Sequence, residues 1–339
     1  MIELRHHGIE LALRHPFGLS RGVSTVRHNL VVELEHEGLV GLGEAAPIAR
    51  YGQDRESARR AVEAMAPRLG DPRHFDGAAR EAALAAAVPG QDCAEAALDI
   101  ALHDLAGKRC GVPLYQLWGL DSGQVPLTSF TIAMDTPEVV AEKVREAAEF
   151  EILKVKLGGP EDRALIEAVR SVTDRPLRVD ANEGWTFEQA RELLPWLAEM
   201  GVELVEQPLP AAQLAEMREL RRSSPLPLFA DESVHRAADV PRLAGAFDGI
   251  NVKLMKCGGP GEALRMIHVA RAHGLQVMLG CMIESSIAIT AAAHLSPLVD
   301  HADLDGHLLV TNDPYLGATL RGGRLVPPDG PGLGVVPRP

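Results

Sequence analysis

Six residues between positions 154 and 253 have the types and spacing to move a proton. Lys154 and Lys156 lie two apart in "ILKVKLGG" (152–159). On a strand, both ammonium groups would face one way and Leu153, Val155 and Leu157 the other. Lysine is almost never buried unpaired, so that face must look onto compensating charge. Asp180 in "LRVDANEG", Glu206 in "VELVEQPL" and Asp231 in "LPLFADES" offer one carboxylate per apolar run, and Lys253 follows in "GINVKLMK".

Neighbouring parallel strands lie about 4.8 Å apart, so inward-facing acids at their ends converge and repel unless a cation sits among them. All-oxygen ligands on rigid strands suit a hard divalent ion, Mg2+ above others. Three separate rim ion pairs are the alternative. Lys154 and Lys156 precede the first acid and Lys253 follows the last, so in a barrel they face each other across the mouth. Crowding by another cation and partial desolvation are expected to lower a lysine's proton affinity and make it a usable base. An ion with a base on each side suits removal of a proton next to a carboxylate, the ion stabilising the resulting enediolate. If one lysine removes the proton and the other returns one to the opposite face, the outcome is racemisation or epimerisation.

These residues need elements to hold them. Lys156, Asp180, Glu206, Asp231 and Lys253 are spaced by 24, 26, 25 and 22 residues. One strand, one helix and two loops take about that length, which predicts alternating strands and helices in a parallel α/β sheet. About eight such apolar runs, from "LTSFTIAM" to "HADLDGHLLV", predict a closed barrel, with an open doubly wound sheet as the alternative. The polar residue falls late in each run, at the rim where barrel active sites are built. The first third reads differently: two strand regions meeting at a turn near Glu37-Gly38, then helices. "DCAEAALDIALHDLAGKRCG" is the clearest helix, with Asp92 and Glu95 spaced as a capping box. The Gly- and Pro-rich end, "LRGGRLVPPDGPGLGVVPRP", is no barrel helix and reads as a tail returning to the N-terminal part.

The 339 residues are 46% hydrophobic and 24% charged, which is globular and long enough for a large core or two domains. The net charge of -13 comes without clustered Lys/Arg, so nucleic acid is not an expected partner. Cys93, Cys110, Cys257 and Cys281 are far apart in sequence and fit a reducing compartment, the cytoplasm. No apolar run nears the roughly 18 residues of a membrane span, and the N-terminus does not read as a signal peptide. "GLGEAA" matches a dinucleotide fingerprint, but Pro47 follows at once and no helix opens there, so it reads as the end of a hairpin. The sequence is compatible with a homo-oligomer.

"LKVKLG", "VDANEGW", "VEQPLP", "ADES", "INVKLMKCGG" and "MIES" together resemble the successive motifs of the muconate-lactonizing subgroup of the enolase superfamily. "ADLDG" resembles the Asp-x-Asp of its dipeptide epimerases, the L-Ala-D/L-Glu epimerase family. The likeness covers nearly the whole chain. It implies an α/β fold: a modified (β/α)7β TIM-type barrel over 123–311, an α+β N-terminal capping domain over 1–122, and a tail, 312–339, packing back on that domain. It implies one Mg2+ held by Asp180, Glu206 and Asp231, with Lys156 and Lys253 as acid/base groups and Lys154 supporting Lys156. Asp303 and Asp305 would bind a dipeptide's α-ammonium; two carboxylates at period two point the same way and suit a cation. Thr131 would hydrogen-bond the substrate. "HPFGLSRGVST" resembles the family's mobile capping loop, where Arg21 would pair with an acidic side chain. The implied activity is inversion of the α-carbon of a dipeptide's C-terminal residue. Alternatives are o-succinylbenzoate synthase, N-acyl amino acid racemase, muconate cycloisomerase, or a non-catalytic metal- or dipeptide-binding homologue.

Overall fold

The structure, a computed structural model, describes residues 2–19, 22–70 and 77–339. Three antiparallel strands open the chain: β1 (Glu3–Leu19), β2 (Gly22–His36) and β3 (Leu39–Ala45). β2 and β3 are joined at Glu37 and Gly38, both in the left-handed region (φ 52 and 79), as a tight two-residue hairpin requires. β1 and β2 pair evenly from Glu3–Glu35 to Ala12–Val26, then slip, so that Phe17 pairs with Ser24. Helices α1 (Arg55–Met65), α2 (Gly77–Ala87) and α3 (Asp92–Cys110) follow, then the short α4 (Leu114–Leu117).

α3 is buried on every side from Cys93 to Gly107, because it is wedged between this sheet and the rest of the molecule. Gly41 and Gly43 make that possible. A Cβ on either would collide with the carbonyl oxygens of Ala101 and Ala97 on the helix. The glycines of "GLGEAA" therefore serve a close helix–strand approach. Gly43→Ala is expected to cost about 1–3 kcal/mol by overpacking, read as a lower urea midpoint; an unchanged midpoint would refute this account of the glycine. The predicted capping box at α3 is not formed. Gln91 is the N-cap residue and gives no side-chain cap. Glu95 instead accepts a 2.7 Å hydrogen bond from Arg236, which also pairs with Asp92. Attraction from a distant cation outcompetes the local backbone donors.

The barrel follows as β4 (Ser129–Ile132), α5 (Pro137–Glu146), β5 (Ile152–Lys156), α6 (Asp162–Arg170), β6 (Leu177–Asp180), α7 (Phe187–Glu199), β7 (Val202–Glu206), α8 (Leu214–Ser223) and β8 (Leu228–Ala230). It continues with α9 (Val240–Leu243), β9 (Gly249–Lys253), α10 (Leu254–Cys257), α11 (Pro260–Ala272), β10 (Gln276–Gly280), α12 (Ser286–Leu295) and β11 (His301–Asp303). The eight strands are parallel and lie in chain order. Thr128, just ahead of β4, bridges Ala302 on β11 and brings the ends of the sheet together, so the open-sheet alternative falls. Seven crossovers and a terminal strand make a (β/α)7β barrel. Its register sets Lys156 beside Asp180 and Asp180 beside Glu206, each the last residue of its strand.

After β11 the chain runs back over both parts. Gly332 exchanges main-chain hydrogen bonds with Val112 and Leu114, and the Leu333 N–H donates to Asp104 at 2.7 Å. His294 on α12 meets the Leu333 carbonyl at 3.1 Å. Among the described residues, no helix is long and apolar enough to cross a membrane.

Candidate active site

Asp180 and Glu206 end their strands, and Asp231 lies one residue beyond β8. Each offers an oxygen within 4.8 Å of the others, and all three are buried. Their placement is locked by the rim backbone. The Gln207 side-chain oxygen accepts the main-chain N–H of Asp231 at 3.0 Å, so the residue after β7 fixes the acid after β8. Asn182, Glu183 and Gln207 have positive φ (46, 65 and 36) within three residues after two of the acids. Such strain in non-glycine residues persists where the surroundings over-determine it.

Cations ring these acids. Lys156 donates to Asp180 at 2.6 Å and Lys253 to Asp231 at 2.7 Å. Lys154, 1% exposed, donates to Glu206 and to Asp303 at 2.6 Å each and lies 3.3 Å from Asp180. Two further partners escaped sequence reasoning. Lys256, on α10, bonds the carboxylate and carbonyl of Asp231. Asn251 donates to the second oxygen of Glu206 at 2.7 Å. Asn251 sits two before Lys253, on the same inward face, so the period of a strand could have found it. Lys256 offered no such signal, since it lies beyond the strand.

Burial works against the charge of Lys253, but Asp231 and Glu206 outweigh it and hold its proton affinity well above the ordinary value. For Lys154, Asp303, Glu206 and Asp180 likewise overcome burial. At these two lysines the neighbouring carboxylates decide the direction. The acids respond unequally. Burial and Asp180 push Glu206 up to about 7. Burial also opposes the charge of Asp231, yet Lys253 and Lys256 hold it well below the ordinary value.

An all-oxygen, anionic, buried donor set of this kind fits a hard divalent cation. Asp180, Glu206 and Asp231 would hold it. Saturating Mg2+ is therefore expected to raise thermal stability, by about 2.7 kcal/mol at a hundred times Kd. Asp231→Asn is expected to abolish the response, as read by thermal melts with and without chelator. An equal Mg2+ response in D231N would remove Asp231 from the ligand set.

Asp303 and Asp305 reach the same mouth from the opposite side. Asp303 accepts from Ser129 Oγ at 2.7 Å as well as from Lys154. Asp305 accepts the Thr131 main-chain N–H at 2.6 Å, and burial followed by the nearby Asp303 pushes it up to about 6. The pair is thus unequal: Lys154 already compensates Asp303, whereas Asp305 has no cation of its own among the described residues. Lys156, Lys253, Asp231, Asp303, Asp305 and Thr131 line a cavity of about 510 Å3, roofed by Phe17, Val23, Ser24, Arg27 and Tyr51 from the N-terminal part. Arg21 lies outside the described residues.

Glu284, in the "MIES" stretch, is a buried acid beside this site whose Oε1 accepts the Met282 N–H at 2.8 Å. Burial, then Glu44, pushes it up to about 8. Folded protein thus holds this proton where the unfolded chain, near 4.5, has lost it. The cost to stability grows as pH rises from about 4.5 to about 8 and then levels off. Glu284→Gln removes that cost, so its stability relative to wild type is expected to improve progressively from pH 5 to pH 8. Parallel pH profiles in urea unfolding would refute the assignment.

A three-stranded cap on a (β/α)7β barrel, with acids at successive strand ends and lysines on either side, defines an enolase-type architecture. Residues 1–119 match the mandelate racemase/muconate lactonizing enzyme N-terminal domain, and residues 138–339 match the enolase C-terminal domain-like family. The chain belongs to the mandelate racemase/muconate lactonizing enzyme family. It is 46% identical over 330 residues to the L-Ala-D/L-Glu epimerase of Bacteroides thetaiotaomicron, covering 96% of this chain and 86% of that protein. It is 41% identical to a hydrophobic dipeptide epimerase of a Flavobacteria bacterium, covering 97% of this chain and 96% of that one. The crystal structure of a Cytophaga hutchinsonii dipeptide epimerase, complexed with Mg and D-Ala-L-Val, superposes with a TM-score of 0.93 at 30% identity, covering 99% of this chain and 95% of that one.

Proposed function

We infer that this protein is a Mg2+-dependent dipeptide epimerase, an isomerase that inverts the α-carbon of the C-terminal residue of a dipeptide. The observation that carries the reading is the placement of Lys156 and Lys253 on β5 and β9, with the three acids on the strands between them, all at one mouth shared with Asp303 and Asp305. Mg2+, when bound, draws charge from the substrate carboxylate and so acidifies the α-hydrogen. In this reading one lysine takes the α-proton and the other, protonated, returns one to the opposite face. Lys154 holds Glu206 and Asp303 in place. Asp305, with Asp303, receives the α-ammonium, and Thr131 orients Asp305. A free ammonium is what o-succinylbenzoate synthase, N-acyl amino acid racemase or muconate cycloisomerase substrates lack, so this pair favours dipeptides over those. The four unpaired cysteines support a reducing compartment, the cytoplasm.

The test is incubation of a dipeptide library with the protein and Mg2+ in D2O, followed by mass spectrometry. Deuterium at the α-carbon of the C-terminal residue is expected. No exchange in any member would refute the activity. Asp305→Asn is expected to raise KM by on the order of 100-fold through loss of a charge-assisted contact, read by steady-state kinetics on the best dipeptide. An unchanged KM would take the ammonium away from Asp305.

A further inference from the structure

Asn251 on β9 is fully buried, yet its side-chain oxygen has no hydrogen-bond partner among the described residues. An unpartnered amide oxygen in the interior is costly, and a hydrocarbon of similar shape would fill the same space without that cost. Met278, its register partner on β10, clusters with Leu204 and Phe229, all apolar and buried. The reason for an amide at this level therefore lies at its other end. Nδ2 reaches past β8, which separates β9 from β7, and donates to Glu206 at 2.7 Å.

The next strand is cut back to admit this amide. Gly280 on β10 lies outside the left-handed region, so its backbone does not require glycine. Its neighbour does: a Cβ at 280 would stand 2.6 Å from the Asn251 side-chain oxygen and 2.8 Å from Nδ2. The amide occupies the space that a side chain there would take. The main chain of Asn251 serves a second acid. Its carbonyl accepts from Lys256 at 3.3 Å, and Lys256 bonds the Asp231 carboxylate.

We propose that Asn251 is a positioning residue for the divalent ion, holding Glu206 ready to ligate it, and that Gly280 is the notch that seats Asn251; this takes Asp180, Glu206 and Asp231 as the ligands and so rests on the epimerase reading. Glu206 is gripped at both oxygens, by Lys154 at Oε2 and by Asn251 at Oε1. Two cations in those places would oppose the ion that the acid must bind. A neutral donor fixes the second oxygen without adding positive charge, and each carboxylate oxygen keeps a further lone pair for the ion. Groups behind a ligand orient it in this way and set the affinity of the site.

The experiment titrates metal-free protein with Mg2+ by isothermal calorimetry. Asn251→Leu keeps the filling and removes the donor, and is expected to weaken Mg2+ binding on the order of 10- to 100-fold. Gly280→Ala leaves Asn251 in the chain but displaces its amide. It is expected to weaken binding about tenfold, and it reads the proposal if the leucine variant does not fold. Asn251→Ala vacates the space, so adding Gly280→Ala to it is expected to cause no further loss. Met278→Ala, a packing change at the same level, is expected to lower the urea midpoint and keep the wild-type affinity for Mg2+. Wild-type affinity in N251L or in G280A, losses that multiply in the double variant, or an equal loss in M278A would each overturn the proposal. The titration needs no dipeptide. Wild type that binds no Mg2+ would overturn the epimerase reading as well, whereas wild-type binding with indifferent variants overturns this inference alone.

Discussion

Lys253→Met is expected to slow epimerisation by on the order of 10³-fold while leaving solvent deuterium exchange on one of the two epimers. An inverting pair of bases divides its labour by face. A variant lacking one base has nothing on that side to take or return a proton, but the other base still removes the hydrogen that faces it. The fold should tolerate the change, because Asp231 keeps Lys256 as a partner. Lys156→Met should give the mirror-image result, exchange surviving on the other epimer, with Asp180 still 3.3 Å from Lys154. Proton NMR in D2O on each purified epimer reads both variants. Exchange of both epimers at wild-type rates by either variant would show that the two-base assignment is wrong. The pair of results also assigns each lysine to its epimer.

Lys154→Met is expected to destabilise the folded protein by about 3–5 kcal/mol. Its ammonium is almost fully buried and touches three acids. Removing it leaves Glu206 with Asn251 and Asp303 with Ser129, both neutral donors that satisfy hydrogen bonds but not charge. Mg2+ should restore part of the loss, since it adds positive charge to the same cluster. Adding Glu206→Gln to the variant should restore part of it without Mg2+, since one uncompensated acid is gone. Urea unfolding with and without Mg2+ measures all of this. A loss below about 1 kcal/mol in K154M would mean that the cluster carries fewer charges in the folded state than its geometry implies.

The barrel was legible in the sequence because its rule is periodic. Polar residues spaced by 22 to 26 at the ends of apolar runs leave little choice but strand ends at one rim. Lys154 and Lys156 were legible as a pair because a strand has period two. What sequence reasoning missed lies across space. Asp92 and Glu95 have the spacing of a capping box, yet their partner is Arg236, more than 140 residues away. The partners of Lys154 and Lys156 were hidden for the same reason: the neighbour visible along the strand is another lysine, whereas the acids 2.6 Å away lie on other strands. The β1–β2 register and its slip were not legible either, since the contacts of Ala12, Leu13 and Arg14 that accompany them are with residues 309–311.

That register has a mechanical consequence. β1 is bolted to the barrel just before the slip: Leu13 bridges Val310, the Arg14 N–H donates to Leu309, and the Ala12 carbonyl accepts from Thr311. The bolts fall in the chain directly after Asp303 and Asp305. Beyond them Phe17–Leu19, paired with Gly22–Ser24, reaches over the mouth, and the Gly18 carbonyl accepts the Met134 N–H at 3.2 Å. The hairpin is thus fastened at residues 12–14 to 309–311 and again at Gly18 to Met134, while the lysines and acids stand on and beside β5 to β9. The roof of the cavity and the floor that carries the lysines and acids thus come from separate stretches of chain, and side chains of the roof can be exchanged while the floor stays in alignment.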